Sequence, residues 1–398
     1  MSLQNSPIIV GRKEFEEFCA HVRQAGLVAC DTEFVSEYTY RPELCLLQLA
    51  TEERACLVDP YEIDDLSAWW DIMADDETTI VLHGGREEIR FCQIFGGRSP
   101  RKVVDLQLAE GLRSRSFPLA YSSMVSRVLK TNTHGKETRT DWRRRPLTQQ
   151  QIAYGLEDVE HVLPIWKIQK KSLISMGRLA WAEAEFARMV SDLEEELSPE
   201  SWRRFSGLHR LKPRSLAAAR ELIRWRESEA ESRNQPARKI LRDDLLLEIA
   251  FRLPRSAKEV LSTRDMNRPD YQKRIDRILN CIEAARDLPN EELPAPFPEP
   301  DYDRDQDEQI LSKILSIALA NRCAELNVSV TLVGTNADLK QLVRWHVYNQ
   351  NAGPLPRLMQ GWRTEVCGDL LTAVLDGKIS LRVADPESEH PLIFERRE

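Results

Sequence analysis

Two pairs of side chains in the N-terminal part of the chain have spacings that suit a shared reactive centre. Asp31 and Glu33 lie two residues apart after an apolar run, and alternate residues of a strand point to the same face. Adjacent carboxylates repel each other unless a cation neutralises them, and hard oxygen ligands suit Mg²⁺ or Mn²⁺. The pair therefore indicates a metal site. The alternative is an acidic strand end that faces solvent.

The second pair is Tyr154 and Asp158, four residues apart in a predicted helix, where residues i and i+4 share a face. The carboxylate could hold metal, and the phenol could orient an attacking water. The alternative is a core tyrosine beside an exposed aspartate.

A third element, His83-Gly-Gly-Arg-Glu87-Glu88, joins a predicted strand to a predicted helix. The glycines allow a tight turn, and a carboxylate in the first helical turn could face the end of the sheet. The alternatives are acidic residues that complement the helix dipole and a hydrogen-bonded histidine at a strand end.

The order of these elements resembles the ribonuclease D family of DEDD exonucleases. The likeness covers about residues 8–175 and extends to Tyr40-Arg-Pro-Glu-Leu-Cys-Leu-Leu-Gln-Leu-Ala50, Tyr121-Ser-Ser-Met and Leu163-Pro-Ile-Trp166. The resemblance implies hydrolysis of RNA from the 3′ end to nucleoside 5′-monophosphates. It also implies that two divalent ions, Mg²⁺ or Mn²⁺, are held by the catalytic and metal-binding residues Asp31, Glu33, Glu88 and Asp158, with Tyr154 orienting the water.

One position departs from the family pattern, because Glu88 stands where the family carries an aspartate. Its extra methylene moves the carboxylate by about 1.5 Å, whereas Mg²⁺ requires near-octahedral geometry. A helix shift, a bridging water or a preference for Mn²⁺ could absorb the change, or the site could be weakened. Glu87 is the second choice for this role.

Contacts with nucleic acid are predicted around Lys136–Arg145, which holds five basic and two acidic residues. Lys136, Arg143 and Arg145 are candidate phosphate contacts, and Trp142 is either a stacking face or a core anchor. Phe34 and His83 complete the set of predicted contacts. The expected partner is single-stranded RNA with a free 3′ end, such as a tRNA precursor.

The strand and helix patterns predict an α/β fold with a mixed sheet flanked by helices and two small all-α domains after it. The family resemblance implies that the sheet is ribonuclease H-like. The predicted strands are Leu27–Cys30, Leu44–Leu49, Ala55–Val58, Thr79–Leu82 and Lys102–Val104, the first three forming a meander. The predicted helices of this part include Ile63–Met73, Glu87–Phe95, Leu106–Leu112, Gln149–Ser172 and Leu179–Leu197.

The domain boundaries follow from composition and from the resemblance. The stretches Trp202-Arg-Arg-Phe-Ser-Gly-Leu-His-Arg-Leu211 and Pro236-Ala-Arg-Lys-Ile-Leu-Arg-Asp-Asp244 resemble an HRDC domain. We predict an exonuclease domain over 1–175, an HRDC domain over 195–288, a Pro-rich linker over 289–304 and a divergent HRDC-like domain over 305–385. Ser198-Pro199 is expected to begin a helix, and the last dozen residues are expected to fray. Trp202–Arg242 holds twelve Lys/Arg and four Asp/Glu in a chain of net charge −8, so this basic module is a candidate nucleic-acid surface.

The remaining features favour an ordinary cytoplasmic protein. The eight cysteines are scattered without metal spacing, no apolar run spans a membrane, and no secretory signal is evident. A monomer is favoured. Two other functions stay open: a nuclease-fold scaffold that binds RNA or DNA with weakened catalysis, and a DNA exonuclease.

Overall fold

The computed structural model of the 398-residue chain describes residues 8–134, 140–297, 302–349, 351 and 353–396, with 302–306 described by backbone only. Its N-terminal part is built on a six-stranded sheet whose strands are β1 (Ile8–Ile9), β2 (Leu27–Val35), β3 (Glu43–Ala50), β4 (Ala55–Val58), β5 (Thr79–Leu82) and β6 (Val103–Asp105). Their order across the sheet is β1-β4-β3-β2-β5-β6.

The sheet is mixed, as predicted. Strands β2, β3 and β4 form an antiparallel meander, whereas β1 joins β4, and β5 joins both β2 and β6, in parallel. The pairing of β2 with β5 covers only Leu27–Ala29. In the described chain, residues 31–35 of β2 therefore extend past β5 without a strand neighbour on that edge, which leaves room for side chains from helices.

Helices cover the sheet: α1 (Arg12–Ala25), α2 (Ser67–Met73), α3 (Arg86–Phe95), α4 (Leu106–Arg113), α5 (Tyr121–Leu129), α6 (Gln149–Glu160), α7 (Val162–Ser175) and α8 (Leu179–Glu196). The prediction missed α1 and α5. The single helix predicted over Gln149–Ser172 is wrong, because the chain breaks at His161 between α6 and α7. This break lets α6 pack on β2, β3 and β4 while α7 turns to contact α4 and α5.

The next segment is helical and has a hydrophobic core of its own, which includes Trp202, Leu222 and Ile278. Its helices are α9 (Pro213–Ser232), α10 (Ala237–Ile240), α11 (Asp243–Arg252), α12 (Ala257–Leu261), α13 (Pro269–Gln272) and α14 (Ile275–Asp287). No α-helix begins at Ser198, contrary to the prediction. A short 3₁₀ turn, Ser201–Arg204, occupies this position instead.

The C-terminal segment differs because its buried residues, such as Leu319 and Leu358, join the same hydrophobic core as the sheet domain. It contains α15 (Tyr302–Glu325), α16 (Val330–Val333), α17 (Asn336–Val343), α18 (Asp369–Leu375), β7 (Ile379–Val383) and β8 (Leu392–Arg396). Strands β7 and β8 form a hairpin, so the expectation that the last dozen residues fray is wrong for 392–396. None of the helices within the described residues has the length and apolar character to cross a membrane.

Candidate active site

Strand β2 presents the first two carboxylates of the site. Asp31 and Glu33 lie on one face of the strand, both partly buried, and Thr32 between them points to the other face and is 7% exposed. The register with β3 shifts between Glu33 and Phe34, which marks a β-bulge at the end of the acidic pair. Bulges bend a strand and redirect its side chains, and they are common beside active sites.

Helix α6 brings Tyr154 and Asp158 over this face. Thr148 and Gln151 form a capping box that sets where the helix begins. A Cβ on Gly155 would lie 3.2 Å from the side chains of Leu46 and Leu57, so the glycine allows α6 to approach the sheet closely. The helix spacing predicted from sequence therefore becomes a site only through this close packing.

The third acidic element begins α3 after the turn His83-Gly84-Gly85. Gly84 has a positive φ of 72°, and the N–H of Gly85 donates to Asp105 Oδ2 at 2.9 Å. Glu88 is 6% exposed and accepts a hydrogen bond of 2.5 Å from the Thr32 hydroxyl. Glu87 instead pairs with Arg90, outside this contact.

A cavity of about 120 Å³ lies between these elements and is lined by Cys30, Asp31, Glu33, His83, Tyr121, Tyr154, Asp158 and Val162. Glu88 does not line it, since its carboxylate is engaged by Thr32 on the other side of β2. Sequence reasoning assigned no role to Tyr121, whose hydroxyl donates to the Glu157 carbonyl oxygen at 3.1 Å and whose ring lies 5.4 Å from that of His83. No spacing pattern marks Tyr121, because the fold alone brings α5 here.

Burial and the proximity of the carboxylates to one another make it costly for all four to be ionised together, so their pKa values are raised. Burial, together with the charges of Asp158 and Glu88, raises the pKa of Glu33 to about 8. Burial and the charge of Glu88 hold the pKa of Asp31 well above its usual range. Burial also raises the pKa of Glu88 to about 7, despite the opposing hydrogen bond from Thr32, and the pKa of Asp158 to about 7.

These carboxylates have the donor chemistry that a divalent cation requires. No Lys or Arg of the described residues forms an ion pair with any of the four, and Asp158 Oδ2 is buried without a hydrogen-bond partner. Within the described ranges, however, no group of three or more His, Cys, Asp or Glu side chains is arranged to hold a metal ion. A complete coordination shell therefore requires side-chain movement, and the Glu88 carboxylate is the one directed elsewhere.

The residues predicted to contact nucleic acid differ in how exposed they are. Arg143 is exposed and paired with Asp141 at 2.8 Å, and Phe34 lies partly buried against Phe91, with ring centroids 5.7 Å apart. His83 lines the cavity, with its Nε2 2.9 Å from the Leu119 carbonyl oxygen. Lys136 lies outside the described residues.

Two of the predicted contacts have structural partners instead. Trp142 is 3% exposed with its ring 6.0 Å from that of Tyr154, so burial supports the core-anchor interpretation and not base stacking. Arg145 binds both oxygens of Asp59, at 2.5 and 2.8 Å, and donates to the Cys45 carbonyl oxygen at 2.7 Å. These bonds tie the Trp142 segment to the sheet and leave Arg145 little capacity for a phosphate.

Fold and site together define a 3′–5′ exonuclease domain, and family comparison agrees. The 3′-5′ exonuclease family matches residues 7–174, and the HRDC domain family matches residues 215–282. Ribonuclease D of Gluconacetobacter diazotrophicus is 31% identical over 377 residues, covering 91% of each chain. Ribonuclease D of Escherichia coli K12 is 30% identical over 377 residues, covering 93% of this chain and 98% of that protein.

The whole fold is shared as well. The crystal structure of Escherichia coli RNase D, described as an exoribonuclease involved in structured RNA processing, matches with a TM-score of 0.81 at 29% identity. The match covers 94% of this chain and 99% of that one. The chain therefore belongs to the ribonuclease D family and is a 3′–5′ exoribonuclease. Nucleases of this fold generally use divalent metal ions.

Proposed function

We propose that this chain removes nucleoside 5′-monophosphates one at a time from a free RNA 3′ end by two-metal catalysis. Its substrates would be single-stranded 3′ extensions of tRNA precursors or other stable RNAs. The observation that carries the proposal is the convergence of Asp31, Glu33 and Asp158 on one small cavity, where no described Lys or Arg lines the cavity to neutralise them.

Asp31, Glu33, Asp158 and, after release from Thr32, Glu88 would hold Mg²⁺ or Mn²⁺. When bound, such ions would supply positive charge that stabilises the pentacoordinate transition state at phosphorus, and they would lower the pKa of a bound water. The cavity of about 120 Å³ is too small for a nucleotide, since pockets for drug-sized ligands span about 300–1,000 Å³. The nucleotide itself must therefore lie outside it, with only the scissile phosphate reaching the carboxylates.

Tyr154 would orient the attacking water. Burial and the neighbouring charges of Asp158 and Glu33 raise the pKa of its hydroxyl. The phenol therefore stays protonated at neutral pH, and it acts as a hydrogen-bonding group and not as a base. Its ring lies 6.0 Å from that of the buried Trp142, a contact that helps to hold Tyr154 in place.

A time course with 5′-labelled and 3′-labelled single-stranded RNA, in Mg²⁺, Mn²⁺ or EDTA, tests the proposal. We expect the 3′ label to appear as a mononucleotide at once, the 5′ label to shorten stepwise, and both reactions to stop in EDTA. Asp31→Asn should abolish both. Activity that persists in EDTA or in Asp31→Asn would refute the metal mechanism, and faster cleavage of matched DNA would favour a DNA exonuclease. Binding without cleavage by the wild type would favour a scaffold.

A further inference from the structure

Most cationic side chains of the basic module at 202–242 pair with carboxylates of the same chain. Arg226 and Arg238 both pair with Asp243, at 2.6 and 3.0 Å. Other arginines of the module that pair with carboxylates are Arg203, Arg204, Arg220, Arg224, Arg233 and Arg242. Lys239, like Arg210 and Lys212, is exposed and has no carboxylate at ion-pair distance among the residues described.

Lys239 faces the exonuclease domain. Its Nζ lies 5.8 Å from the centre of the Tyr38 ring, and the Arg143 guanidinium lies 5.6 Å from the same ring. Tyr38 is 55% exposed. An accessible aromatic ring between cations from two domains combines a stacking surface for a base with charges for phosphates.

Tyr38 and Arg143 both lie close in sequence to residues of the candidate active site. Tyr38 follows Glu33 by five residues, which separates them by at most about 18 Å along an extended chain. Arg143 directly follows Trp142, whose ring lies 6.0 Å from that of Tyr154. A strand whose 3′ end occupies the active site could therefore reach the cluster within a few nucleotides.

Contact between the two domains does not depend on Tyr38. The N–H of Tyr40 donates to Asn234 Oδ1 at 3.2 Å, and Arg41 pairs with Glu231 at 2.5 Å. Tyr38 itself makes no hydrogen bond to another residue of the described chain. Its neighbours hold the domains together, and the part of the Tyr38 ring that Arg143 and Lys239 leave exposed is open to a ligand.

We propose that Tyr38, Arg143 and Lys239 form an entry site for single-stranded RNA, with a base on the Tyr38 ring and flanking phosphates on Arg143 and Lys239. This inference rests on the proposed function and deepens it by assigning Lys239 of the first helical domain to the substrate path. Lys239 is the sharper probe of the two cations, since Arg143 shares its charge with Asp141.

The test measures binding of a 5′-fluorescein-labelled 12-nucleotide RNA without secondary structure, by anisotropy, to the full chain carrying Asp31→Asn. The background variant is chosen to prevent hydrolysis, and a denaturing gel of each sample shows whether the RNA stays intact. A failure of the exonuclease proposal then appears as shortened RNA, whereas a failure of the entry-site proposal appears as unchanged affinity for intact RNA. Lys239→Gln should weaken binding about fivefold and reduce the slope of log K against log salt by about 0.7. Tyr38→Leu should weaken binding about tenfold, whereas Tyr38→Phe should stay within about twofold of the parent.

Arg238→Gln is the matched control, because it removes the same charge from the neighbouring residue, whose guanidinium is paired with Asp243. It should change the affinity less than about twofold and leave the salt slope intact. Thermal midpoints of all variants should match that of the parent. The proposal is overturned if Lys239→Gln and Arg238→Gln weaken binding equally, if the salt slope does not change, or if Tyr38→Leu binds as well as Tyr38→Phe.

Discussion

A buried ion pair joins the C-terminal segment to the sheet domain. Glu185 on α8 is 1% exposed and Arg363 is 4% exposed, and Arg363 Nη1 donates to Glu185 Oε1 at 2.6 Å. Trp362 donates to the same oxygen at 3.0 Å, and Arg188 donates to the other oxygen at 2.8 Å. Replacing the carboxylate by an amide in Glu185→Gln would leave Arg363 buried without its counter-charge.

The size of the effect follows from the pKa of Glu185. Burial alone would raise this pKa, but hydrogen bonds and charge from Arg363 and Arg188 outweigh burial and lower it from 4.5 to about 2. That difference corresponds to about 3 kcal/mol of unfolding free energy at pH 7. Because the folded-state pKa is the lower one, the contribution is complete well above pH 4.5 and falls to about 1 kcal/mol at pH 3.

Urea unfolding followed by tryptophan fluorescence measures this loss of unfolding free energy. The signal is suitable because the stacked rings of Trp181 and Trp362, with centroids 5.3 Å apart, lie beside the ion pair. We expect Glu185→Gln to lose about 3 kcal/mol at pH 7 and about 1 kcal/mol at pH 3. Glu195→Gln, on the same helix, breaks an exposed pair with Arg204 and should cost less than about 0.5 kcal/mol. Equal losses for the two variants, or a loss that does not shrink at pH 3, would refute the reasoning.

Three further predictions concern the active site. In EDTA the midpoint temperature of thermal unfolding should fall as pH rises from about 5 to 8. The folded-state pKa values of Glu33, Glu88 and Asp158 are raised to about 8, 7 and 7, so these carboxylates must lose their protons in the folded protein without a counter-charge. Added Mn²⁺ should restore the midpoint more at pH 8 than at pH 5, and equal restoration would argue against a metal site. Glu88→Asp removes one methylene and so withdraws the carboxylate from Thr32, and we expect an unchanged or higher rate of hydrolysis in Mg²⁺. A loss of rate above tenfold would mean that the site is built around Glu. Gly155→Val should push α6 off the sheet, costing about 1–3 kcal/mol in urea unfolding and lowering kcat more than tenfold, whereas an unaltered kcat would show that α6 can shift without harm.

Local spacing was sufficient to predict that the members of each candidate pair share a face. Asp31 and Glu33 share a strand face, and Tyr154 and Asp158 share a helix face, because the two periodicities are properties of the backbone. Strands β3 to β6 were predicted to within one residue at each end, since each is a short apolar run between turns. Strand β2 runs five residues beyond the predicted Leu27–Cys30, to Val35, because its polar second half pairs with β3. The order of these elements along the chain then carried the family resemblance, which implied the nuclease fold.

Contacts between residues far apart in the chain decided the rest. The bond from Thr32 to Glu88, the fit of Gly155 against Leu46 and the position of Tyr121 all depend on packing that no local pattern encodes. The same holds for the single core shared by the sheet domain and the C-terminal segment, where chain composition suggested a separate module. Sequence thus determined which groups could do chemistry, and tertiary packing decided where each one points, because side-chain direction depends on the neighbours that fill the space around it.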